Sequence, residues 1–282
     1  MDNDLIEMAK RFERERGSSV SEDQCFVINP KVLDRIIEVA QVTKEDRVLE
    51  VGTGLGFLTR RLASVAREVI TIERDVRFKP YLSDLPRNVE VIFGDAYRLI
   101  NDRGFQKKTT PPTKTVSNIP YSQAQSMLHN YTNWTWYQGD LVWLAPLSLA
   151  NKINKEPILG AFFKAEVIET VSRDNFYPKP NTVSGIMIFR RVPDPISTDN
   201  FEIYFRRWLY NHEDKKVRNT IREGIINVAR DMRKINITKN QAEKLIEVLN
   251  LPDEHLEIIT NNIRPEYYFE IPQELSNWFN SL

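Results

Sequence analysis

The chain has 282 residues, 41% hydrophobic and 28% charged, the composition of a globular protein with room for one sizeable domain and a smaller one. One cysteine and three histidines cannot build a disulfide framework and leave little for a metal site, so a reducing, cytoplasmic setting with no metal is expected. Lys and Arg total 39 against 39 Asp and Glu, and no apolar run approaches membrane-helix length, which argues against a strongly basic nucleic-acid binder and against a membrane span.

The neutral total hides an uneven distribution. Residues 201–234 hold nine Lys/Arg against five Asp/Glu, and residues 98–114 hold five against one. Residues 239–282 reverse the sign, three against eight. The pattern reads as a basic middle masked by an acidic tail, with scattered solvated faces as the plain alternative.

The first 16 residues are dense in both charge signs, unlike a signal peptide, and residues 1–22 read as a polar helical arm, set apart over 1–19. Pro30 fits the first turn of a helix over 30–42. Strands are predicted over 47–51, 68–72, 89–93, 115–117 and 140–144. Helices fall between them, through Leu58, Leu62 and Ala63, and over 76–82; residues 107–112 read as a polar loop. Residues 162–168 and 183–189 suggest a closing antiparallel pair. The alternation of strand and helix predicts an α/β, doubly wound, largely parallel sheet. Arg191-Val192-Pro193-Asp194-Pro195 marks a boundary, placing one domain over 20–192 and a helical one over 193–282. The latter should hold helices over 201–210, 215–229, 241–249 and 274–279.

Glu50-Val51-Gly52-Thr53-Gly54-Leu55-Gly56 lies between a strand and a helix, where a doubly wound sheet binds ligands. The dinucleotide fingerprint needs Gly or Ala three residues after its second glycine. Here Phe57 or Thr59 stands there, so the spacing favours the acid-x-Gly-x-Gly-x-Gly form seen with S-adenosylmethionine, although a purely structural turn is open. Glu73 ends the second strand, placed to accept from ribose hydroxyls, or is simply an exposed strand-end acid. Asp95 ends the third strand and can accept from an adenine amino group.

Asn118-Ile119-Pro120-Tyr121 follows the fourth strand. The Asn118 amide oxygen and the Ile119 or Pro120 carbonyl can hold an exocyclic amine, and Tyr121 offers a face for a flat ring. A turn leading into the next helix is the plain alternative. The three histidines show no pattern that would make them catalysts.

These residues resemble the ribosomal RNA adenine N6-dimethyltransferase family, over roughly residues 20–225. Gln24-Cys25-Phe26-Val27 is similar to the family's Gln-Asn-Phe-Leu motif, with Cys25 in place of asparagine. Phe176-Tyr177-Pro178-Lys179-Pro180 resembles its Phe-Phe-Pro-Pro-Pro loop, and Phe205-Arg206-Arg207-Trp208 with Lys215-Lys216-Val217-Arg218-Asn219 resembles its closing helix pair. The last match favours the dimethyltransferases over the related macrolide-resistance methylases. The family's Gln-Lys-Glu stretch is replaced by Leu144-Ala145-Pro146-Leu147.

The resemblance implies a class I (Rossmann-like) methyltransferase sheet with a small C-terminal helical domain. It implies S-adenosylmethionine held by Cys25, Val27, Gly52, Gly54, Glu73, Asp95 and Asn118, with Asn118, Ile119, Pro120 and Tyr121 at the reacting amine. Tyr121, Phe176 and Tyr177 would receive the base, and Arg206, Arg207, Lys215, Lys216 and Arg218 the RNA. The expected partner is small-subunit ribosomal RNA or the immature small subunit, met by a cytoplasmic monomer with no membrane contact. Two other classes compete: a catalytically inactive ribosome-assembly factor, favoured by the missing fifth-strand motif, and a protein or small-molecule methyltransferase.

Overall fold

The computed structural model describes residues 2–16, 24–132, 136–137, 139–156 and 158–282. The chain divides into two compact units, 1–154 with 164–191, and 155–163 with 192–282. Residues 155–163 lie within the sequence-predicted first domain but belong to the second unit.

In chain order the first unit begins α1 (Asp2–Arg16), β1 (Phe26–Val27), α2 (Pro30–Ala40), β2 (Arg47–Val51), α3 (Phe57–Val65) and β3 (Glu68–Glu73). It continues β4 (Val89–Phe93), α4 (Ala96–Asn101), α5 (Arg103–Lys108), β5 (Lys114–Asn118), α6 (Ala124–Thr132), β6 (Leu141–Pro146) and α7 (Leu147–Lys155). After α8 (Leu159–Phe162) come β7 (Phe163–Val171), β8 (Phe176–Tyr177) and β9 (Ser184–Arg191). The expected helical arm is present as α1; its continuation over 17–22 lies outside the described residues.

Among the described residues, seven strands form one sheet in the order β4-β3-β2-β5-β6-β9-β7. Strands β4 to β6 run parallel, and β9 is antiparallel to β6. Val48, Leu49 and Val51 of β2 are buried, as a strand covered on both faces requires. Each fully buried apolar side chain of this kind contributes roughly 1.5–3 kcal/mol. Helix α2 starts where expected because the Asn29 side chain accepts the Lys31 N–H while Pro30 occupies the first turn. It buries Leu33, Ile36 and Ala40.

Two local expectations change. Residues 76–82 form a 3-10 helix rather than an α-helix; Pro80 sits inside it and has no N–H for an α-helical bond. Helix α5 takes in Lys107 and Lys108 of the stretch expected as loop, and α4 forms where no element was expected; the side chains of Asp95 and Asp102 cap them.

The second unit contains α8, α9 (Phe201–Asn211), α10 (Val217–Val228), α11 (Lys239–Val248), α12 (Asp253–Glu257) and α13 (Tyr267–Asn280). Helix α10 starts two residues later than expected because Lys215 and Lys216 pair with the backbone of Ile259 and Thr260. Helix α13 starts well before the expected 274 despite Pro272 inside it. Tyr267, Tyr268, Ile271, Leu275 and Phe279 make a buried helical stripe that outweighs the one backbone bond missing at proline.

Candidate active site

From β2 the chain steps to β3 and β4 on one side, and β5 lies on the other. The strand order therefore reverses between β2 and β5, where their carboxyl ends part and open a crevice. Gly52 follows β2 and Asn118 ends β5. A cavity of about 470 Å³ lies there, a volume suited to a small-molecule ligand.

The glycine loop forms its floor. Gly52 and Gly54 take φ of +85° and +53°, the left-handed region that disfavours a side chain. A Cβ on Gly54 would also sit 3.2 Å from the Phe26 ring. The Gly54 N–H donates to Glu73 Oε2 at 2.8 Å, and the Asp75 N–H to Glu73 Oε1 at 2.7 Å. Burial raises the Glu73 carboxyl pKa, and these two amides oppose the rise. Each Glu73 oxygen keeps a second lone pair for a ligand.

Glu50, 1% exposed, accepts from Thr59 Oγ1 at 2.6 Å. Burial pushes its carboxyl up to about 8. Asp95 caps α4 by accepting the Tyr97 N–H at 2.9 Å. The partners of Glu50 and Glu73 are hydroxyls and backbone amides, while the nearby Arg77 guanidinium is engaged by Asp75. This donor set fits a nucleoside whose hydroxyls and amino group need acceptors and which carries positive charge.

The Asn118 tetrapeptide forms the opposite wall. Asn118 Nδ2 donates to the Cys25 carbonyl at 3.2 Å, which leaves its Oδ1 as an acceptor. The Pro120 carbonyl accepts the Gln123 N–H at 3.0 Å, so the Ile119 carbonyl is the better second acceptor. The Tyr121 hydroxyl bonds to the buried Ser184 hydroxyl, and burial raises its pKa to about 12.

Cys25, Val27, Gly52, Gly54, Glu73, Asp95, Asn118, Ile119, Pro120 and Tyr121 thus line one cavity. Phe176 and Tyr177, expected to receive the base, are not among its lining residues. Phe176 is buried and pairs with Val27 in the β1–β8 ribbon. Tyr177 pairs with Phe26, and its hydroxyl bonds to the Glu13 carboxylate of α1. Phe176 is thus inside the fold, whereas Tyr177 is half-buried.

Phe26 and Phe78 line the cavity and were missed in the sequence. Phe12 of α1 stacks on Phe78 at 4.6 Å and meets Phe26 edge-on at 5.9 Å. The spacing of Leu5, Met8, Ala9 and Phe12 is the signal that predicts this apolar face.

The residues expected to meet RNA on the second unit are mostly engaged. Arg206 is 8% exposed, lies 4.3 Å over the Phe269 ring, and burial pushes its pKa down to about 10. Arg207 donates to the carbonyls of Ala161 and Val192. Lys216 pairs with Glu257 at 2.9 Å, and Arg218 with Glu243, Asp253 and Glu257. Among the described residues the exposed Lys215 side chain makes no such pair. Arg206 and Arg207 are therefore packing residues; three carboxylates of the acidic tail neutralise Lys216 and Arg218.

A parallel sheet with the antiparallel β9 set between β6 and β7, and the cavity at its switch point, defines the class I methyltransferase fold. Solved structures that share it include a dimethyladenosine transferase from Plasmodium falciparum (TM-score 0.55, 21% identity, 88% of this chain and 96% of that one) and the 23S rRNA methyltransferase ErmE (TM-score 0.51, 22% identity, 89% and 99%). Within that class, the chain belongs to the ribosomal RNA adenine dimethylase family, whose model matches residues 20–254. Similar curated proteins include the ribosomal RNA small subunit methyltransferase A of Listeria monocytogenes serotype 4b, 28% identical over 198 residues, 64% of this chain and 67% of that one. The probable ribosomal RNA small subunit methyltransferase A of Pyrococcus abyssi is 31% identical over 213 residues, covering 71% and 74%. No helix among the described residues is long and apolar enough to cross a membrane.

Proposed function

We propose that the chain methylates adenine N6 amines of small-subunit ribosomal RNA, twice per base, using S-adenosylmethionine. One observation carries the reading. Asn118, Ile119 and Tyr121 stand on the wall of the same cavity as Gly52, Glu73 and Asp95. In this reading Glu73 accepts from ribose hydroxyls and Asp95 from the cofactor's adenine. When bound, the cofactor supplies an electrophilic methyl group.

The chain's own residues prepare the amine. An adenine amine is a poor nucleophile because its lone pair is delocalised into the ring. Asn118 Oδ1 and the Ile119 carbonyl accept its two N–H bonds and hold it pyramidal, with the lone pair out of the ring. The bond from Asn118 Nδ2 to the Cys25 carbonyl keeps the amide in the orientation that presents its oxygen. Tyr121 stacks on a base that has left its own stack. No general base is required, since the methylated amine gives its proton to water. Positioning therefore carries most of the rate.

In this reading residues 20–192 form the methyltransferase domain, 193–282 an RNA-recognition domain and 1–19 an arm, in a cytoplasmic monomer. The test is mass spectrometry of rRNA from immature small subunits incubated with the protein and labelled cofactor. Dimethyladenosine is the expected product. Binding of cofactor and subunit with no transfer would replace this reading with an assembly factor.

A further inference from the structure

The nine cations of residues 201–234 were the natural candidates for holding RNA, and five of them are paired with carboxylates. The other basic stretch behaves differently. Arg98 on α4 and Arg103, Lys107 and Lys108 on α5 are all exposed, and none makes an ion pair among the described residues. Asp102, the one acid between them, is taken up as the cap of α5, accepting the Phe105 N–H at 2.6 Å.

Helix stability accounts for only part of this placement, since Arg98 stands in the last turn of α4. Lys107 and Lys108 lie in the last turn of α5, where the helix dipole favours a cation by about 0.3–1 kcal/mol. Arg103 is the first residue of α5, at the positive end, where the same dipole opposes it. Beside Arg98, Tyr97 leaves 51% of its surface in solvent. Its backbone is fixed: the N–H donates to Asp95, and the carbonyl accepts Asn130 Nδ2 at 3.0 Å. The two helices are also tied together, Gln106 Nε2 donating to the Ile100 carbonyl at 2.7 Å. A rigid platform thus presents four unpaired cations and one exposed aromatic ring, starting two residues beyond Asp95 on the cavity wall.

We infer that α4 and α5 form a docking face for the RNA backbone, with Arg98, Arg103, Lys107 and Lys108 on phosphates and Tyr97 stacked on an unpaired base. This rests on the proposed activity and adds where the substrate is held outside the cavity. An exposed flat ring among unpaired cations favours nucleic acid over an acidic protein, because every base offers a stacking face.

The experiment compares the parent, Arg103→Glu/Lys107→Glu/Lys108→Glu, and Tyr97→Ala. It measures affinity for a small-subunit rRNA stem-loop from low to moderate salt, affinity for immature subunits, and cofactor affinity by calorimetry. The triple variant should keep cofactor affinity. Its log–log salt slope should shrink by about one for each phosphate that is no longer gripped. Tyr97→Ala should weaken RNA binding by roughly 5- to 150-fold, the equivalent of about 1–3 kcal/mol, with the slope unchanged. An unchanged slope in a cofactor-binding triple variant overturns the inference and leaves the proposed activity standing. Loss of subunit binding with full affinity for the stem-loop also overturns it, assigning the face to a protein. A parent with no affinity for either RNA or subunit sinks the proposed activity itself.

Discussion

The cavity of the first unit and the helix surface of the second handle charge in opposite ways. Around the cavity, Glu73 is buried against backbone amides with no countercharge bonded to it, so its remaining acceptor capacity is open to a ligand. On the second unit, Lys216, Arg218, Arg222, Arg230 and Arg233 each contact a carboxylate of the same unit. Such surface pairs stabilise by only about 0–1 kcal/mol each, but each cancels a charge that RNA would otherwise meet. What separates the regions is therefore the state of the charges. A binding region is marked by charges without a countercharge, and by that criterion α4 and α5 resemble the cavity more than α10 does.

The comparison can be broken most sharply at Asn118. Asn118→Ala removes the acceptor needed when the lone pair turns toward the methyl group. Methyl transfer should fall on the order of 10²-fold or more, with cofactor affinity changing far less. Single-turnover transfer to immature subunits measures it, and a parent-like rate rules out the proposed role. Glu73→Ala should weaken cofactor binding by roughly 1.5–3 kcal/mol, read by calorimetry on a folded variant. Because burial raises the Glu73 pKa and ligand hydroxyls favour its ionised form, cofactor affinity should rise as pH climbs through that pKa. A Glu73→Gln variant should lack that rise.

Glu50 tests the cavity through stability. Its folded pKa of about 8 lies above the reference value of 4.5, so the folded state holds a proton that the unfolded chain releases. The stability from neutral Glu50 is complete below pH 4.5 and is lost as pH rises to about 8. The slope is at most about 1.4 kcal/mol per pH unit. Denaturant melts from pH 5 to 8 should show the parent losing stability relative to Glu50→Gln; parallel curves would contradict the burial argument.

On the second unit, Glu243→Gln with Glu257→Gln should free Lys216, leave Arg218 only Asp253 and Arg222 only Glu223, and raise stem-loop affinity several-fold with a steeper salt slope. No gain would mean these cations never face RNA. The smallest effect is expected at Tyr121→Phe. The buried Ser184 hydroxyl loses its partner, so stability should drop by about 1 kcal/mol while methyl transfer stays close to parent.

Much of the first unit was readable because its parallel strands are short, apolar-rich and bounded by polar residues: β2 and β4 occupy the predicted residues, and β3 extends one residue further. Glycine spacing and strand-end acids located the cavity for the same reason, since their roles follow from local sequence. Helices α4 and α5 are six residues each, too short for apolar periodicity to register. The capping aspartates Asp95 and Asp102 were the available signal. The β1–β8 ribbon has two residues per strand and joins segments 150 residues apart, which no local pattern encodes. That ribbon pairs Phe176 with Val27 and Tyr177 with Phe26, a placement the motif alone does not show. Charge pairing fails similarly: the nine cations of 201–234 can be counted, but their partners include Glu243, Asp253 and Glu257 from beyond that stretch.

The carboxylates around Arg218 also bear on heat. Arg218 contacts Glu243, Asp253 and Glu257, sharing Glu243 with Arg222 and Glu257 with Lys216. Fixing one guanidinium serves three partners, so ordering it costs less per partner than isolated pairs would. The hydration that opposes ion pairing weakens as temperature rises, whereas apolar stabilisation per unit area levels off. The surface that mutes this unit's attraction for RNA in the cold therefore becomes a growing share of its resistance to melting in the warm.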